Sequence, residues 1–199
     1  MSSSTGSSPP VLVITGQSGA GKGTLIERLL AEFPQLRLAV SATTRARRHG
    51  EIEGVHYTFI GDEEFDRRLA EGDFLEYHVF PWGQRSGTLY SELQRIFDEG
   101  GVCVLELETE GALRVKERVP TATTIFITAP IPELERRLRE RATESSGEIE
   151  ERLKVAQEQL EIAGRFDHVV ENDVLERAMA ELRGLVARVV APAATMSRP

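Results

Sequence analysis

VLVITGQSGAGKGT, residues Val11 to Thr24, begins as five apolar or β-branched residues and runs directly into a glycine-rich turn that carries a lysine. A run of this kind bounded by a turn reads as a short buried strand. Gly16 to Lys22 follows the pattern G-x-x-x-x-G-K, and beyond it Leu25, Leu29 and Phe33 recur at helical spacing. Strand, glycine loop and helix in that order give the pattern its meaning. Glycines let successive backbone N–H groups turn inward on phosphate oxygens. The helix start adds its positive dipole end, and Lys22 reaches the β- and γ-phosphates of a nucleoside triphosphate. Gly16, Gln17, Ser18, Gly19, Ala20, Gly21, Lys22, Gly23 and Thr24 are therefore expected to cradle the phosphates of a nucleoside triphosphate.

One position departs from the general pattern. Gly23 stands where a Ser or Thr hydroxyl usually meets Mg²⁺, and Thr24 comes one residue later. The GKGT form recurs in nucleotide kinases that hold Mg²⁺ mostly through water and phosphates, so Thr24 is the candidate near the metal and no direct ligand is assigned.

Outward from the loop, Leu38 to Ser41, Val102 to Leu107, Thr124 to Thr128 and His168 to Val170 read as further strands. Helical patterns lie between and after them: Leu134 and Leu138, then Ile149, Leu153, Ala156, Leu160 and Ala163, then Leu175, Ala178, Leu182 and Leu185. Short apolar strands alternating with amphipathic helices predict an α/β fold, a mainly parallel sheet flanked by helices. The core is expected over residues 11–41 and 99–190. Residues 42–98, rich in charge and aromatics, read as an inserted subdomain. Residues 137–152, with Arg137, Arg139, Arg141 and Arg152 around Thr143 to Gly147, read as a mobile lid. The Ser- and Pro-containing ends, 1–10 and 191–199, are expected to be disordered tails.

The chain of 199 residues carries 32 acidic and 24 basic side chains, a formal net charge of -8. That balance gives no overall basic surface for nucleic acid. The first ten residues lack a charged n-region, and no apolar run approaches the roughly 20 residues of a membrane span, so a cytoplasmic protein without membrane partners is expected. The single cysteine, Cys103, lies in an apolar run and reads as a core thiol.

SATTRARRHGEIEGVHYTF, Ser41 to Phe59, places three arginines beside hydroxyls and Tyr57. The planar guanidinium fork suits the oxygens of a phosphomonoester. With GQSGAGKGTL, GVHYTF, DFLEY, SGT, LELETEGA, RLRERA, EERL and VEND in the same order, the chain resembles the guanylate kinase family from Val11 to Val190.

The resemblance implies an ATP-dependent kinase that phosphorylates GMP to GDP, with Mg²⁺ accompanying ATP. It implies that Arg45, Arg48 and Tyr57 bind the GMP phosphate and that Ser41, Glu76, Thr88 and Glu108 read the guanine. Glu106 would stand near the metal and the reacting phosphates. Arg137, Arg141 and Arg152 would close over the transferring group, with Asn172 and Asp173 beside the adenine; Arg139 has no family counterpart. The chemistry of Glu76 agrees, because a carboxylate accepts from both N1–H and the 2-amino group of guanine, whereas adenine N1 is an acceptor. Glu106 and Glu108 alternate with leucines at the end of a buried strand, where unpaired carboxylates are costly.

The family pattern is broken in four places. Ser86 replaces a second phosphate-binding tyrosine, with Arg85 or Tyr90 as the candidates to compensate. The preceding stretch FPWGQR is one residue longer than usual. Gln17 replaces a common proline, and Ala142 a common lid glycine. The competing readings are a kinase for another phosphorylated acceptor and a catalytically inactive binding module. Retention of Lys22 and the lid arginines argues for an enzyme. Oligomeric state and use of dGMP are not legible.

Overall fold

The computed structural model describes residues 10–140 and 146–196; of 146–148 and 192–196 only the backbone is described. The parallel sheet contains β1 (Val11–Gly16), β2 (Leu36–Leu38), β7 (Val102–Glu106), β8 (Thr123–Thr128) and β9 (His168–Glu171), in the order β2-β7-β1-β8-β9. Every pairing in it is parallel. The loop-bearing strand β1 is central, which buries both of its faces and explains its continuous apolar run.

Strand alternation sends Leu12 and Ile14 to one face and Val11 and Val13 to the other. The first face packs α1 (Lys22–Glu32) and α7 (Leu175–Met196) through Leu25, Leu29, Leu182 and Val186. The second packs α3 (Tyr90–Asp98) and α4 (Thr109–Arg118) through Leu93, Ile96, Ala112 and Val115. Cys103 is fully buried on that second face, and burial pushes its thiol up to about 12.

A second sheet, β4-β3-β6-β5, is built from β3 (Ala42–Thr43), β4 (Thr58–Phe59), β5 (Phe74–Val79) and β6 (Arg85–Leu89). Helix α2 (Asp62–Glu71) covers it, with Phe65 stacked on Phe74 at a 4.4 Å centroid separation. Helices α5 (Ile131–Glu140) and α6 (Ser146–Glu161) follow β8.

Several boundaries differ from those expected. The second strand is Leu36–Leu38, not Leu38–Ser41. The Ala39 N–H makes one more bond to Val104 O, but the Val40 N–H goes to the Glu92 side chain, and the chain leaves for the second sheet. Helix α3, expected within the insertion, packs Leu93 and Ile96 against the main sheet because its apolar stripe faces β7. The stretch from Ala191, expected as tail, continues α7 as far as Met196.

Candidate active site

Gly16 ends β1 at φ 137°, where an added Cβ would stand 1.9 Å from Ile127 O. Only glycine lets the chain turn here so close to β8. The side chain of Gln17 is fully buried and points into the protein: its Nε2 donates to Ala156 O in α6 at 2.9 Å. Its Oε1 accepts from Thr128 Oγ1 at 2.6 Å and from the Ala129 N–H at 2.9 Å. Every polar atom of this side chain is thereby matched, and the phosphate loop, the end of β8 and α6 are joined. A proline cannot make these bonds, so the substitution of Gln17 has a structural account.

Lys22 opens α1, and its Nζ donates to Gly16 O at 2.9 Å and Gln17 O at 3.1 Å. Burial lowers its pKa, and the charges of Glu108 and Glu106 work against that shift. A cavity of about 330 Å³ beside it is lined by Gly19, Gly23, Thr24, Glu27 and Glu106.

The neighbouring cavity, of about 340 Å³, meets Gly21, Thr24, Arg137, Glu140, Asn172 and Leu175. Arg137 is pinned there. Its Nε donates to Glu133 at 2.8 Å and one terminal nitrogen to Asn172 O at 2.8 Å. Asn172 is buried and donates from Nδ2 to Ala20 O at 2.7 Å, while its Oδ1 has no hydrogen-bond partner among the described residues. Asp173 accepts from the Val174 N–H at 2.6 Å. Arg152 projects from α6 toward the loop, 3.5 Å from Ser18 Oγ. Arg139 is exposed and paired with Glu135 at 2.7 Å, consistent with a surface ion pair. Arg141 and Ala142 lie outside the described residues.

Across Lys22 and Glu106 lies a third cavity, of about 230 Å³, whose lining includes Ser41, Tyr57, Glu76 and Glu108. Glu76 is only 4% exposed. Its Oε1 accepts from the Thr88 N–H and Thr88 Oγ1, both at 2.9 Å. Oε2 lies over Gly111 in the first turn of α4, where an added Cβ would come within 2.7 Å of it. Burial raises the Glu76 pKa, and the Thr88 bonds oppose the shift.

Glu106 and Glu108 differ from the buried pair expected. β7 ends at Glu106, and both side chains reach the solvent at the cavity mouth. Even so, crowding by the cavity walls thins the water around Glu106 and raises its pKa, against the pull of Lys22.

Arg45 forms an ion pair with Glu51 and lies 4.7 Å over the Tyr57 ring. That pairing, with the Arg48 N–H at 2.7 Å, holds the Glu51 carboxyl down at about 2. The Arg48 side chain is exposed, and neither it nor Arg45 is among the residues lining the cavity before a ligand enters.

Neither residue expected to compensate for Ser86 does so in this structure. The Arg85 guanidinium is taken by Asp62 and Asp66 and lies 4.6 Å over the Phe65 ring. Tyr90 is exposed at the start of α3 and outside the cavity lining. His78 and Phe80, unremarked in the sequence, do line the cavity. Period-two alternation from Glu76 is the signal that would have found them, once Phe74–Val79 is recognised as a strand.

Comparison with known proteins identifies the family. The family profile described as guanylate kinase matches residues 8–189. A guanylate kinase of Synechococcus sp. (strain CC9311) is 46% identical over 171 residues, 85% of this chain and 90% of that protein. One of Rubrobacter xylanophilus is 42% identical over 186 residues, 91% of this chain and 95% of the relative. The crystal structure of guanylate kinase from Anaplasma phagocytophilum superposes with a TM-score of 0.70 at 27% identity, covering 90% of this chain and 85% of that one. With a phosphate loop, a buried carboxylate across from it and a family match over nearly its whole length, the chain belongs to the guanylate kinase family.

Proposed function

We propose that this protein transfers the γ-phosphoryl group of ATP to GMP, yielding ADP and GDP. The observation that carries the reading is the shared wall: Lys22 and Glu106 line both the cavity on the phosphate loop and the one that holds Glu76. A donor triphosphate on one side and an acceptor phosphate on the other would meet at Lys22.

Ionised Glu76, fixed by Thr88 through one oxygen, offers the other to the N1–H and 2-amino donors of guanine. Adenine would turn an acceptor toward that buried carboxylate. Loss of charge-assisted bonds worth ~1.5–3 kcal/mol each, with added repulsion, excludes AMP by orders of magnitude. Ser41, Tyr57, Arg45, Arg48, Thr88 and Glu108 complete the proposed acceptor site. On the donor side the unpartnered Oδ1 of buried Asn172 fits an amine donor such as that of adenine.

In the transfer, an oxygen of the GMP phosphate forms a new P–O bond to the γ-phosphorus, and the bond to the bridging β–γ oxygen breaks. The acceptor phosphate is largely ionised at neutral pH, its second pKa being about 6, so no general base is required. Lys22, Arg137, Arg141 and Arg152 supply positive charge around the moving group, and catalysis reduces to positioning and neutralisation. The oxygens of Thr24 and Glu106 fit Mg²⁺ held through water. Bound with ATP, the ion would neutralise phosphate charge.

A coupled ADP-release assay across GMP, AMP, CMP and UMP tests the reading. We expect kcat/KM for GMP to exceed the others by ~100-fold or more. Comparable values for any of them would refute it.

A further inference from the structure

His78 stands two residues beyond Glu76 on β5, so the two side chains share one face of the β5–β6 hairpin. In the ladder Glu76 lies opposite Thr88, and His78 lies opposite Ser86. Ser86 in turn pairs with Thr43 on its other side. The cavity floor is therefore made of short side chains, Ser41 and Ser86, with Tyr57 at the β4 edge and His78 at the β5 edge. The imidazole is held edge-on against Phe80, ring centroids 4.7 Å apart at 77°. Its Nδ1 is 3.9 Å from the Glu110 carboxylate, too far for a hydrogen bond. Among the described residues no hydrogen bond engages either ring nitrogen. Of the side chains that line this cavity, only Lys22 and His78 carry nitrogen donors.

We propose that His78 is an acceptor-binding residue, its ring N–H donating to the phosphate of the incoming nucleoside monophosphate from the flank opposite Tyr57. An imidazole carries at least one N–H whether neutral or charged, so the contact does not depend on its protonation. The base end of the cavity is set by Glu76 and Thr88, and the His78–Ser86 pair is the next step along the same ladder. The short Ser86 side chain leaves the imidazole room to reach across. His78 supplies the donor that Arg85 and Tyr90, turned elsewhere, do not.

The inference rests on the GMP-kinase reading, and the test separates the two. Steady-state kinetics are measured with GMP and with IMP, which has the same phosphate but lacks the 2-amino group. His78→Ala should raise KM for GMP roughly ten- to hundredfold, the range for a bond to a charged group, with kcat and KM for ATP within about twofold. Both acceptors should suffer alike, leaving the GMP-to-IMP ratio of kcat/KM unchanged. His78→Gln, which keeps an N–H donor, should recover much of the loss. Glu76→Gln is the control for the reading itself and should lower that ratio. If Glu76→Gln leaves the ratio unchanged, the base-reading assignment fails whatever His78 does. If the ratio falls but His78→Ala keeps KM for GMP within twofold, or raises KM for ATP equally, His78 is not an acceptor ligand. A His78→Gln variant no better than His78→Ala also overturns the proposal.

Discussion

Gly111→Ala is a small change with a computable reach. The new Cβ would sit 2.7 Å from Glu76 Oε2, whereas ordinary contact begins near 3.4 Å, so one of the two groups must retreat by 3.4 − 2.7 = 0.7 Å. Glu76 is the one free to give, because Gly111 belongs to the backbone of α4 while Oε2 ends a side chain. Its Oε1 remains tethered to Thr88, so the carboxylate must pivot. A guanine bond to Oε2 would lose its length or its alignment as the acceptor atom moves by about 0.7 Å, and bonds weaken steeply once they leave good geometry. One charge-assisted bond is worth ~1.5–3 kcal/mol, so KM for GMP should rise roughly 10- to 150-fold. Stability should not fall in parallel, since alanine is favoured over glycine in a helix by up to about 1 kcal/mol. Coupled ADP-release kinetics with a thermal melt of the same sample decide the matter. A KM for GMP within twofold of the parent would refute the placement of Glu76 against the base. A large fall in melting temperature would assign the damage to folding instead.

Lys22→Ala should nearly abolish turnover while the melting temperature holds within a few degrees, because the Nζ bonds only to carbonyls of its own loop; turnover within threefold of the parent would remove Lys22 from the chemistry. Arg137→Ala and Arg152→Ala should lower kcat by about two orders of magnitude with little change in KM for GMP, whereas Arg48→Ala should mainly raise that KM. Arg139→Ala serves as the tolerant control, and equal damage there would undo the division of labour. For pH, burial raises the Glu76 pKa above an ordinary carboxylate's. Its ionised form is therefore lost at a higher pH than usual as the solution is acidified, and GMP binding should weaken through that window. The neutral form is the one the fold favours, so this group alone makes the fold relatively more stable as pH falls through the same range. Glu76→Gln should abolish that acid limb of the KM profile for GMP, and its persistence would assign the limb elsewhere.

The phosphate loop and the parallel core were legible because each rests on local chemistry. Gly16 and Lys22 carry a fixed spacing, and the buried strands are unbroken apolar runs. The second sheet was less so. β3 and β4 are two residues each, too short to show a period, and Phe74–Val79 mixes aromatic, acidic and imidazole side chains on a strand whose faces meet a core and a cavity. Glu76 is reached through the family resemblance, with which its chemistry agrees, and no such guide points to His78. Tertiary bonds were invisible altogether. Nothing local announces that Gln17 reaches Ala156, 139 positions away, or that Arg85 lies over Phe65 and pairs with Asp62 and Asp66 on the α2 side of its sheet. That residues 90–98, grouped with the insertion, pack as α3 against the main sheet is hidden for a related reason. Its stripe of Leu93 and Ile96 says that one face is buried, but not against which sheet.

The burial of Cys103 has a practical side. A thiol raised to about 12 and sealed beneath α3 and α4 is almost entirely protonated at neutral pH and out of reach of maleimides and disulfide reagents. As it is the only cysteine, any cysteine introduced at the surface becomes the single point of labelling. The only tryptophan, Trp82, is 68% exposed at the tip of the β5–β6 hairpin, on the acceptor side of the molecule. A dye attached through Arg139→Cys, near the end of α5, would give that natural emitter a partner on a different part of the chain. The unmodified chain thus already contains half of an optical ruler, and one substitution at an exposed arginine would let any change in the separation of α5 and the hairpin be followed in solution as ATP and GMP are added in either order.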